Sequence, residues 1–269
     1  MMKMLSPDLP VHEIAQGGPA KAGPHDRTWG PPSGGPSALA DVHSAIVSCE
    51  RCPRLRSYCR TIAREKKRAH RDDTYWGRPV PGFGDPAARL LLVGLAPAAH
   101  GANRTGRVFT GDGSGDFLMS ALHRTGFANI ATSRRTDDGL RLNDAYILAA
   151  VRCAPPDNKP LPEEITRCMD HLDAEIAALP NVRVVVALGK IGFDAWLQRL
   201  KRRGHVISPR PQFGHGEVVK INGPPEGGPH VLFGCYHPSR QNTNTGKLTP
   251  PMMEAVFRQA RRLIDRAGR

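Results

Sequence analysis

The sequence predicts an α/β protein, a three-layer α/β/α sandwich around a mostly parallel four-stranded central sheet. Four runs rich in Val, Leu, Ile and Ala alternate with segments of helical periodicity. Near-continuous apolar runs indicate strands that are covered on both faces, and strands separated by helices indicate βαβ units and a parallel sheet. We expect one domain over residues 39–269, preceded by a disordered arm over residues 1–38.

The elements follow in chain order. The arm is crowded with glycine and proline, and such a segment buries too little apolar surface to offset its ordering entropy. The first helix is expected within SALADVHSAIVSCERC, where apolar residues have helical spacing. Strands are expected at 89–95, 145–151, 182–189 and 230–237, and helices at 114–127, 162–179, 189–203 and 248–267.

The charge of the chain favours a polyanionic partner. Thirty-eight Lys and Arg against 25 Asp and Glu give a formal net charge of +13, which is typical of proteins that bind nucleic acid. The sequence contains neither an apolar stretch near 18 residues nor the apolar core of a signal peptide, so we expect no membrane association. The default location is a reducing cytoplasm, at the nucleoid, where six cysteines are ligands, core residues or redox groups rather than disulfides.

Three polar loops follow predicted strands. They are GLAPAAHGANRTGRVFTGD (94–112), called the opening loop here, RCAPPDNKP (152–160) and YHPSRQNTNTG (236–246). Active sites of such sheets gather at the carboxyl ends of strands, so the three loops are expected to form one site. The opening loop looks like a phosphate cradle, but it lacks the GK[ST] of a P-loop, which argues against a P-loop-like nucleotide enzyme.

Together with YWGRPVPGFGD (75–85), the loops resemble the uracil-DNA glycosylase superfamily, specifically its family 5 (type B), over roughly residues 40–265. The resemblance implies an enzyme that flips uracil, and other deaminated bases, out of DNA and hydrolyses the N-glycosidic bond to leave an abasic site. The motifs place no lysine nucleophile, so lyase activity is not expected. The implied partner is uracil-containing DNA, double- or single-stranded, and the implied protein is a monomer.

The resemblance assigns roles that compete with structural ones. Phe109 suits stacking on a flipped pyrimidine, or packing under its own loop; Asn158 suits the O4 and N3–H edge of uracil, or a turn. His237 would donate to uracil O2 as the base departs, although a lone histidine is more often structural. Asp112 would be the catalytic carboxylate that orients water or stabilises the sugar cation, or else a helix N-cap.

Other residues of the loops line the substrate. Gly94 would let the backbone approach the base, and Ala96 stands where better-known uracil glycosylases carry Asn or Asp, which weakens selectivity for uracil. Arg240 and Gln241 are candidates to enter the vacated base stack. The predicted DNA contacts are Asn103, Arg104, Arg107, Ser239, Arg240 and Gln241.

The cysteines predict a metal site. Cys49 and Cys52 form a C-x-x-C pair, and Cys153 and Cys168 supply two more thiolates for either Zn²⁺ or a [4Fe–4S] cluster. The family resemblance favours a structural [4Fe–4S] cluster. Cys59 is a competing ligand, and Cys235 is expected in the core.

An arginine-rich segment surrounds Cys52 and Cys59. It is either a solvated helix face or a phosphate-binding surface. The basic residues are Arg51, Arg54, Arg56, Arg60, Arg64, Lys66, Lys67, Arg68 and Arg71. An iron–sulfur module that recognises damaged DNA without cutting it would share this charge and these cysteines, but it would not need Asp112 and His237 together.

Overall fold

A computed structural model describes residues 12–16, 36–222 and 231–267 of the protein. Over these residues the strands are β1 (His12–Gln16), β2 (Phe83–Gly84), β3 (Leu90–Gly94), β4 (Ala145–Ala149), β5 (Val184–Leu188), β6 (His205–Val206), β7 (Val218–Ile221) and β8 (Val231–Cys235). They form one sheet in the order β2-β4-β3-β5-β8-β7-β1-β6.

The four predicted strands are the centre of this sheet. β4, β3, β5 and β8 pair in parallel, with Leu92 opposite Ile147 and Val186. The sheet is larger than the predicted four strands, because β2 and β7 add antiparallel pairs at its two sides. β2 and β6 are only two residues long, too short for a periodicity that a sequence reading could detect.

Helices cover both faces, which confirms the three-layer sandwich. Leu90 and Leu92 of β3 face a core cluster shared with two helices, 113–124 and 250–267, whereas Leu91 and Val93 face a second cluster shared with the helices at 162–177 and 190–202. The helices are α1 (Pro36–Val47), α2 (Pro53–Glu65), α3 (Ala102–Thr105), α4 (Gly113–Arg124), α5 (Pro162–Ala177), α6 (Lys190–Arg202), α7 (Arg240–Asn244) and α8 (Pro250–Ala267).

The predicted arm is not wholly outside the fold. Residues 12–16 form β1, which pairs in parallel with β7 and antiparallel with β6, and Ile14 is buried in the second core cluster. Five residues suffice for a strand when a sheet edge supplies its hydrogen bonds, so the disorder prediction is wrong for this segment. α1 begins at Pro36, inside the predicted arm, and the rest of the arm (1–11 and 17–35) lies outside the described residues.

A buried ion pair joins the layers behind the second loop. Arg152 and Glu175 are both buried, and Arg152 Nη1 lies 2.6 Å from Glu175 Oε2. Glu175 Oε1 accepts from the Tyr146 hydroxyl (2.8 Å) and the Gly82 amide (2.8 Å), and it lies 3.0 Å from His43 Nε2. Burial alone would raise the pKa of Glu175, but the charge of Arg152 lowers it to about 2, so the pair is ionised. It locks the start of the second loop to α1 and α5.

Within the described residues, no helix is long and apolar enough to cross a membrane.

Candidate active site

The three loops leave strands of the parallel centre of the sheet, where β5 lies between β3 and β8. The opening loop follows β3, the second loop follows β4, and the third follows β8, all at the carboxyl ends of parallel strands. The second loop continues alongside the opening loop, because the amide of Val151 donates to the carbonyl of Leu95 at 3.0 Å. This arrangement gives the loops a common edge of the sheet.

Phe109 lies across the base of the opening loop. A Cβ on Gly94 would lie 3.0 Å from Cε2 of the Phe109 ring, so a side chain here would require the ring to shift by a few tenths of an ångström. Phe109 has a φ of 48°, an unusual backbone conformation for a bulky residue that the surrounding loop must hold. Its ring centroid lies 5.7 Å from that of His237, with 33° between the planes. The first and third loops therefore meet at this pair.

His237 is held at the end of β8. Its carbonyl accepts from Nδ2 of Asn242 at 2.8 Å, and a Cβ on Gly189 would lie 3.2 Å from the His237 Cβ. Burial lowers the pKa of His237 to about 4, so the imidazole is neutral at pH 7. A neutral imidazole beside an aromatic ring is a hydrogen-bond donor that carries no charge of its own to be desolvated.

Asp112 caps α4. Its Oδ1 accepts from the amide of Gly115 at 3.0 Å, and its Oδ2 occupies the space that a Cβ on Gly101 would need. Burial raises the pKa of Asp112, against the amides of Gly115 and Ser114 and the charge of Arg240, which lower it. The N-cap alternative is thus observed.

The third loop carries exposed polar groups toward Asp112. Ser239 caps α7, and its side chain accepts from the Asn242 amide at 3.4 Å. Arg240 and Gln241 are exposed, and Nε of Arg240 passes within 3.7 Å of the position of a Cβ on Gly113. Arg240 therefore reaches over the start of α4, next to the carboxylate.

Two of the opening-loop residues predicted to contact DNA are buried inside the loop instead. Asn103 is fully buried, and its Nδ2 lies 3.4 Å from the carbonyls of Cys59 and Ala99. Arg107 is buried, and its Nη2 lies 2.7 Å from Asp138 Oδ2, while its Nε donates to Thr110 Oγ1 at 2.8 Å. The prediction of DNA contact is wrong for both residues, because their donors already have protein partners.

Arg104 closes the same loop. Its guanidinium donates to the carbonyls of His100 and Gly111, both at 2.8 Å, and to the Asp73 carboxylate at 2.6 Å. With three partners it braces the loop between its two ends, and the predicted phosphate contact is not supported. Arg104 and Arg107, which the sequence predicts as DNA contacts, therefore stabilise the opening loop by internal hydrogen bonds and ion pairs.

Asn158 lies in a 3-10 turn, Pro156–Asn158, of the second loop. It is exposed, and its φ of 55° places it in the left-handed region that asparagine tolerates. None of the described contacts joins its side chain to Phe109 or His237, so its base-recognition role stays a prediction.

Four of the six cysteines share one buried cluster beneath the opening loop. Cys52, Cys153 and Cys168 pack with Leu55, Cys59, Val151 and Ala154, and Ala96 packs against this cluster. The thiols of Cys59 and Cys153 hydrogen-bond each other, Cys168 Sγ accepts from the Arg152 amide at 3.4 Å, and Arg51 hydrogen-bonds Cys49. Burial raises the pKa of Cys168 to about 11. Cys235 is fully buried in the core of the sheet, as predicted.

The thiols are neighbours, but they are not arranged as a metal site. Among the described residues, no group of three or more histidine, cysteine, aspartate or glutamate side chains is close enough to hold a metal ion.

The arginine-rich segment forms α2 and the turns after it. Three of its arginines have fixed partners, since Arg51 pairs with Asp170, Arg54 with Glu164, and Arg56 is buried against the Gly77 carbonyl. Three others, Arg60, Arg64 and Arg68, remain exposed. The segment is therefore divided between structural and solvent-facing cations.

One residue at this edge escaped the sequence reading. Gly189, at the end of β5, has a φ of 91° and packs on His237. The sequence did contain a signal for this residue. A glycine directly after a buried strand, at the carboxyl edge of the sheet, indicates that another group packs closely against the backbone there.

Comparison with known proteins agrees with these features. A family model described as the uracil DNA glycosylase superfamily matches residues 81–261. The chain is 49% identical over 232 residues to a protein named type-5 uracil-DNA glycosylase from Mycobacterium bovis, which covers 86% of this chain and 84% of that one. A type-5 uracil-DNA glycosylase of Thermus thermophilus is 49% identical over 220 residues, covering 81% and 94% of the two chains. A type-4 uracil-DNA glycosylase of Pyrobaculum aerophilum is 31% identical over 170 residues, covering 63% and 69%.

With two thirds of its length matched by the family model and its loops brought to one edge of the sheet, the chain belongs to the uracil-DNA glycosylase superfamily, in its type-5 family.

Proposed function

We propose that this protein is a monofunctional glycosylase of DNA repair, which hydrolyses the N-glycosidic bond between uracil and deoxyribose and leaves an abasic site. The family assignment supports uracil as the substrate, and nothing in the described residues favours a DNA-binding module without catalysis. The observation that carries the proposal is the meeting of Phe109 and His237 above Gly94, with the capped carboxylate of Asp112 three residues further along the opening loop.

Phe109 and His237 act on the base. A uracil turned out of the duplex stacks on the Phe109 ring, and the neutral His237 donates a hydrogen bond to its O2. The C1′–N1 bond then breaks with its electron pair moving to the base, so negative charge grows on uracil. A preorganised donor in a site largely shielded from water is worth most at that moment.

Asp112 acts on the sugar. The sugar becomes cationic as the base departs, and a carboxylate can stabilise it or accept a proton from the attacking water. The water oxygen bonds to C1′, one of its protons leaves to the carboxylate or solvent, and the uracil anion is protonated after release. The raised pKa of Asp112 brings it closer to that of a general base.

Base selection rests on few polar groups. Asn158 would reach the O4 and N3–H edge of the flipped base, which requires its exposed turn to close over the pocket. Ala96 offers no hydrogen bond, so we propose that the pocket also accepts other deaminated bases.

DNA would lie across the third loop and α2. Ser239, Arg240 and Gln241 would contact the lesion strand, with Arg240 or Gln241 entering the vacated stack, and Arg60, Arg64 and Arg68 would contact phosphates. We propose that the enzyme works as a monomer on the DNA of the nucleoid.

We also propose a [4Fe–4S] cluster held by Cys49, Cys52, Cys153 and Cys168. The donor set fits in kind, because four thiols share one region with peptide N–H and guanidinium donors that suit thiolates, although metal binding must draw them closer. Base hydrolysis needs no electron, so the cluster would act structurally, holding the second loop and α2 beneath Ala96.

The excision assay tests the function directly. The protein is incubated with a duplex containing one uracil and then treated with alkali, which cleaves at an abasic site; a duplex with thymine at the same position is the control. Strand cleavage only after alkali and only in the uracil duplex is expected. Cleavage without alkali would show a lyase, and no cleavage at all would refute the proposal.

Metal analysis tests the cluster. Protein purified without oxygen should be brown and contain about four irons per chain, with broad absorbance near 400 nm. Cys168→Ser should lose the iron, while Cys235→Ser, a buried thiol in the core of the sheet, is the matched control and should keep it. Stoichiometric zinc without iron would refute the assignment. Loss of iron in Cys59→Ser would show that Cys59 is a ligand in place of one of the four proposed cysteines.

A further inference from the structure

A groove separate from the proposed base pocket runs along α2. Its larger part, a cavity of about 850 Å³, lies between α1, α2 and residues 76–78; a smaller part of about 380 Å³ shares Glu50, Arg56 and Arg60 with it and extends to Arg64. We call the two parts the Trp76 groove. None of the residues around Gly94, Phe109, Asp112 and His237 lines it.

Trp76 is a fixed and open aromatic surface in this groove. Trp76 is 38% exposed, although its backbone amide donates to the Arg104 carbonyl at 2.9 Å and its Nε1 donates to the Pro79 carbonyl at 3.1 Å. One part of the ring rests on Gly106, where a Cβ would lie 2.9 Å from Cδ2. A large ring held in place while open to solvent loses little entropy when a planar group stacks on it.

The groove around this ring carries a positive charge. Arg56, Arg60 and Arg78 line it against one carboxylate, Glu50, which Arg60 already pairs with. Arg78 lies over Trp76, with its Cζ 5.9 Å from the ring centroid, and Arg56 is 96% buried beneath the floor. An aromatic platform flanked by guanidinium groups matches one chemistry closely, that of a single-stranded nucleic acid, whose bases stack and whose phosphates need cations.

We infer that the Trp76 groove binds a single-stranded segment of DNA, with a base stacked on Trp76 and its phosphates along Arg78, Arg60 and Arg64. The inference rests on the proposed function only in taking DNA as the polymer. The groove would hold an unpaired strand independently of its base sequence, and it shares Arg60 and Arg64 with the phosphate contacts proposed for duplex DNA.

Binding of two labelled chains tests this inference. One is an oligothymidylate of about ten nucleotides, and the other is a phosphodiester chain of equal length built from abasic tetrahydrofuran units. The oligothymidylate should bind about tenfold tighter or more, the range of one base–aromatic stack. Trp76→Ala should remove most of this difference and leave the abasic chain almost unaffected, whereas Trp76→Phe should retain part of it.

Separate variants test the contribution of the arginines to binding in the groove. Arg60→Ala with Arg78→Ala should weaken both chains and lower the salt slope of binding by up to about two, and Lys201→Ala with Arg203→Ala, two exposed cations at the end of α6, is the control. If Trp76→Ala fails to fold, Trp76→Phe and the arginine pair decide. Unchanged oligothymidylate binding in the arginine pair, or equal binding of the two chains by the wild-type protein, would overturn the inference, as would displacement of the oligothymidylate by an equimolar amount of thymidine monophosphate.

The excision assay separates the two proposals. If the wild-type protein excises uracil from a blunt duplex and the groove variants bind oligothymidylate normally, only the groove is refuted. If the wild-type protein excises nothing, the proposed function fails whatever the groove binds.

Discussion

Arginines in two regions of this molecule have opposite roles. In the opening loop, Arg104 and Arg107 point inward and are held by carboxylates and carbonyls, so they build the loop. On α2, Arg60 and Arg64 are 60% and 74% exposed, and their partners Glu50 and Glu65 are exposed as well, so both arginines can exchange these surface pairs for phosphate. The difference teaches that burial and nearby acceptors decide whether a cation in a DNA-binding motif supports the fold or contacts DNA. Its position in the motif does not decide this.

The largest expected effect comes from breaking the inward-facing pair of Arg107 and Asp138. Arg107→Ala leaves Asp138 without its buried partner, and loss of one member of such a pair costs about 3–5 kcal/mol of unfolding free energy. Chemical denaturation measures the change. Arg135→Ala is the matched control, since Arg135 and Asp137 form an exposed pair a few residues away and should contribute nothing measurable. Equal stability of the two variants would remove the basis of the comparison.

The second-largest effect is expected from His237 and Asp112, the two groups that are proposed to face the substrate. His237→Ala and Asp112→Asn should each slow single-turnover excision by about a hundredfold, or about 3 kcal/mol, because each removes one preorganised interaction with a developing charge. DNA affinity should change little.

A melting measurement separates catalysis from capping at Asp112. Asparagine caps a helix nearly as well as aspartate, so Asp112→Asn should melt close to the wild-type protein. A normally folded Asp112→Asn that excises uracil at the wild-type rate would contradict the carboxylate mechanism.

The outward arginines should affect binding rather than stability. Replacing Arg60, Arg64 and Arg68 together by alanine should reduce the salt slope of binding to uncut duplex DNA by up to about three, if each contacts a phosphate. Lys201, Arg203 and Arg262, three exposed cations of other helices, provide the control triple. An unchanged slope would mean that α2 presents a merely solvated face.

The smallest effect is in the pH dependence of excision. The pKa of His237 is about 4, so its imidazole stays neutral from pH 8 to pH 5 and should contribute no inflection near 6.5. The pKa of Asp112 is raised above 3.8, so its carboxylate is protonated and the rate falls as the pH drops through that higher value. Asp112→Asn should lose this acid limb. A rate that rises as the pH falls through 6.5 would instead indicate a charged imidazole as the donor.

The local pattern of apolar residues was sufficient to predict the four central strands of the sheet. Each of the four buried strands lies within its predicted range, because a strand covered on both faces needs a continuous apolar run that has few other uses in a soluble protein. The meeting of the first and third loops was also predictable, since parallel strands bring their carboxyl ends to one edge. β1 was not predictable, because its stability comes from the hydrogen bonds of β6 and β7 rather than from its own composition.

The sequence by itself determined the order of the four central strands and of α1, α4, α5, α6 and α8, the residue types at the site and the family they belong to. Only the tertiary structure decided which way each side chain faces: it buried Asn103 and Arg107, set Phe109 over Gly94 beside His237, and left Trp76 open beside Arg78. The physical reason is that orientation within an irregular loop depends on acceptors such as Asp73 and Asp138, which lie about 30 residues away in sequence and come near only when the chain folds.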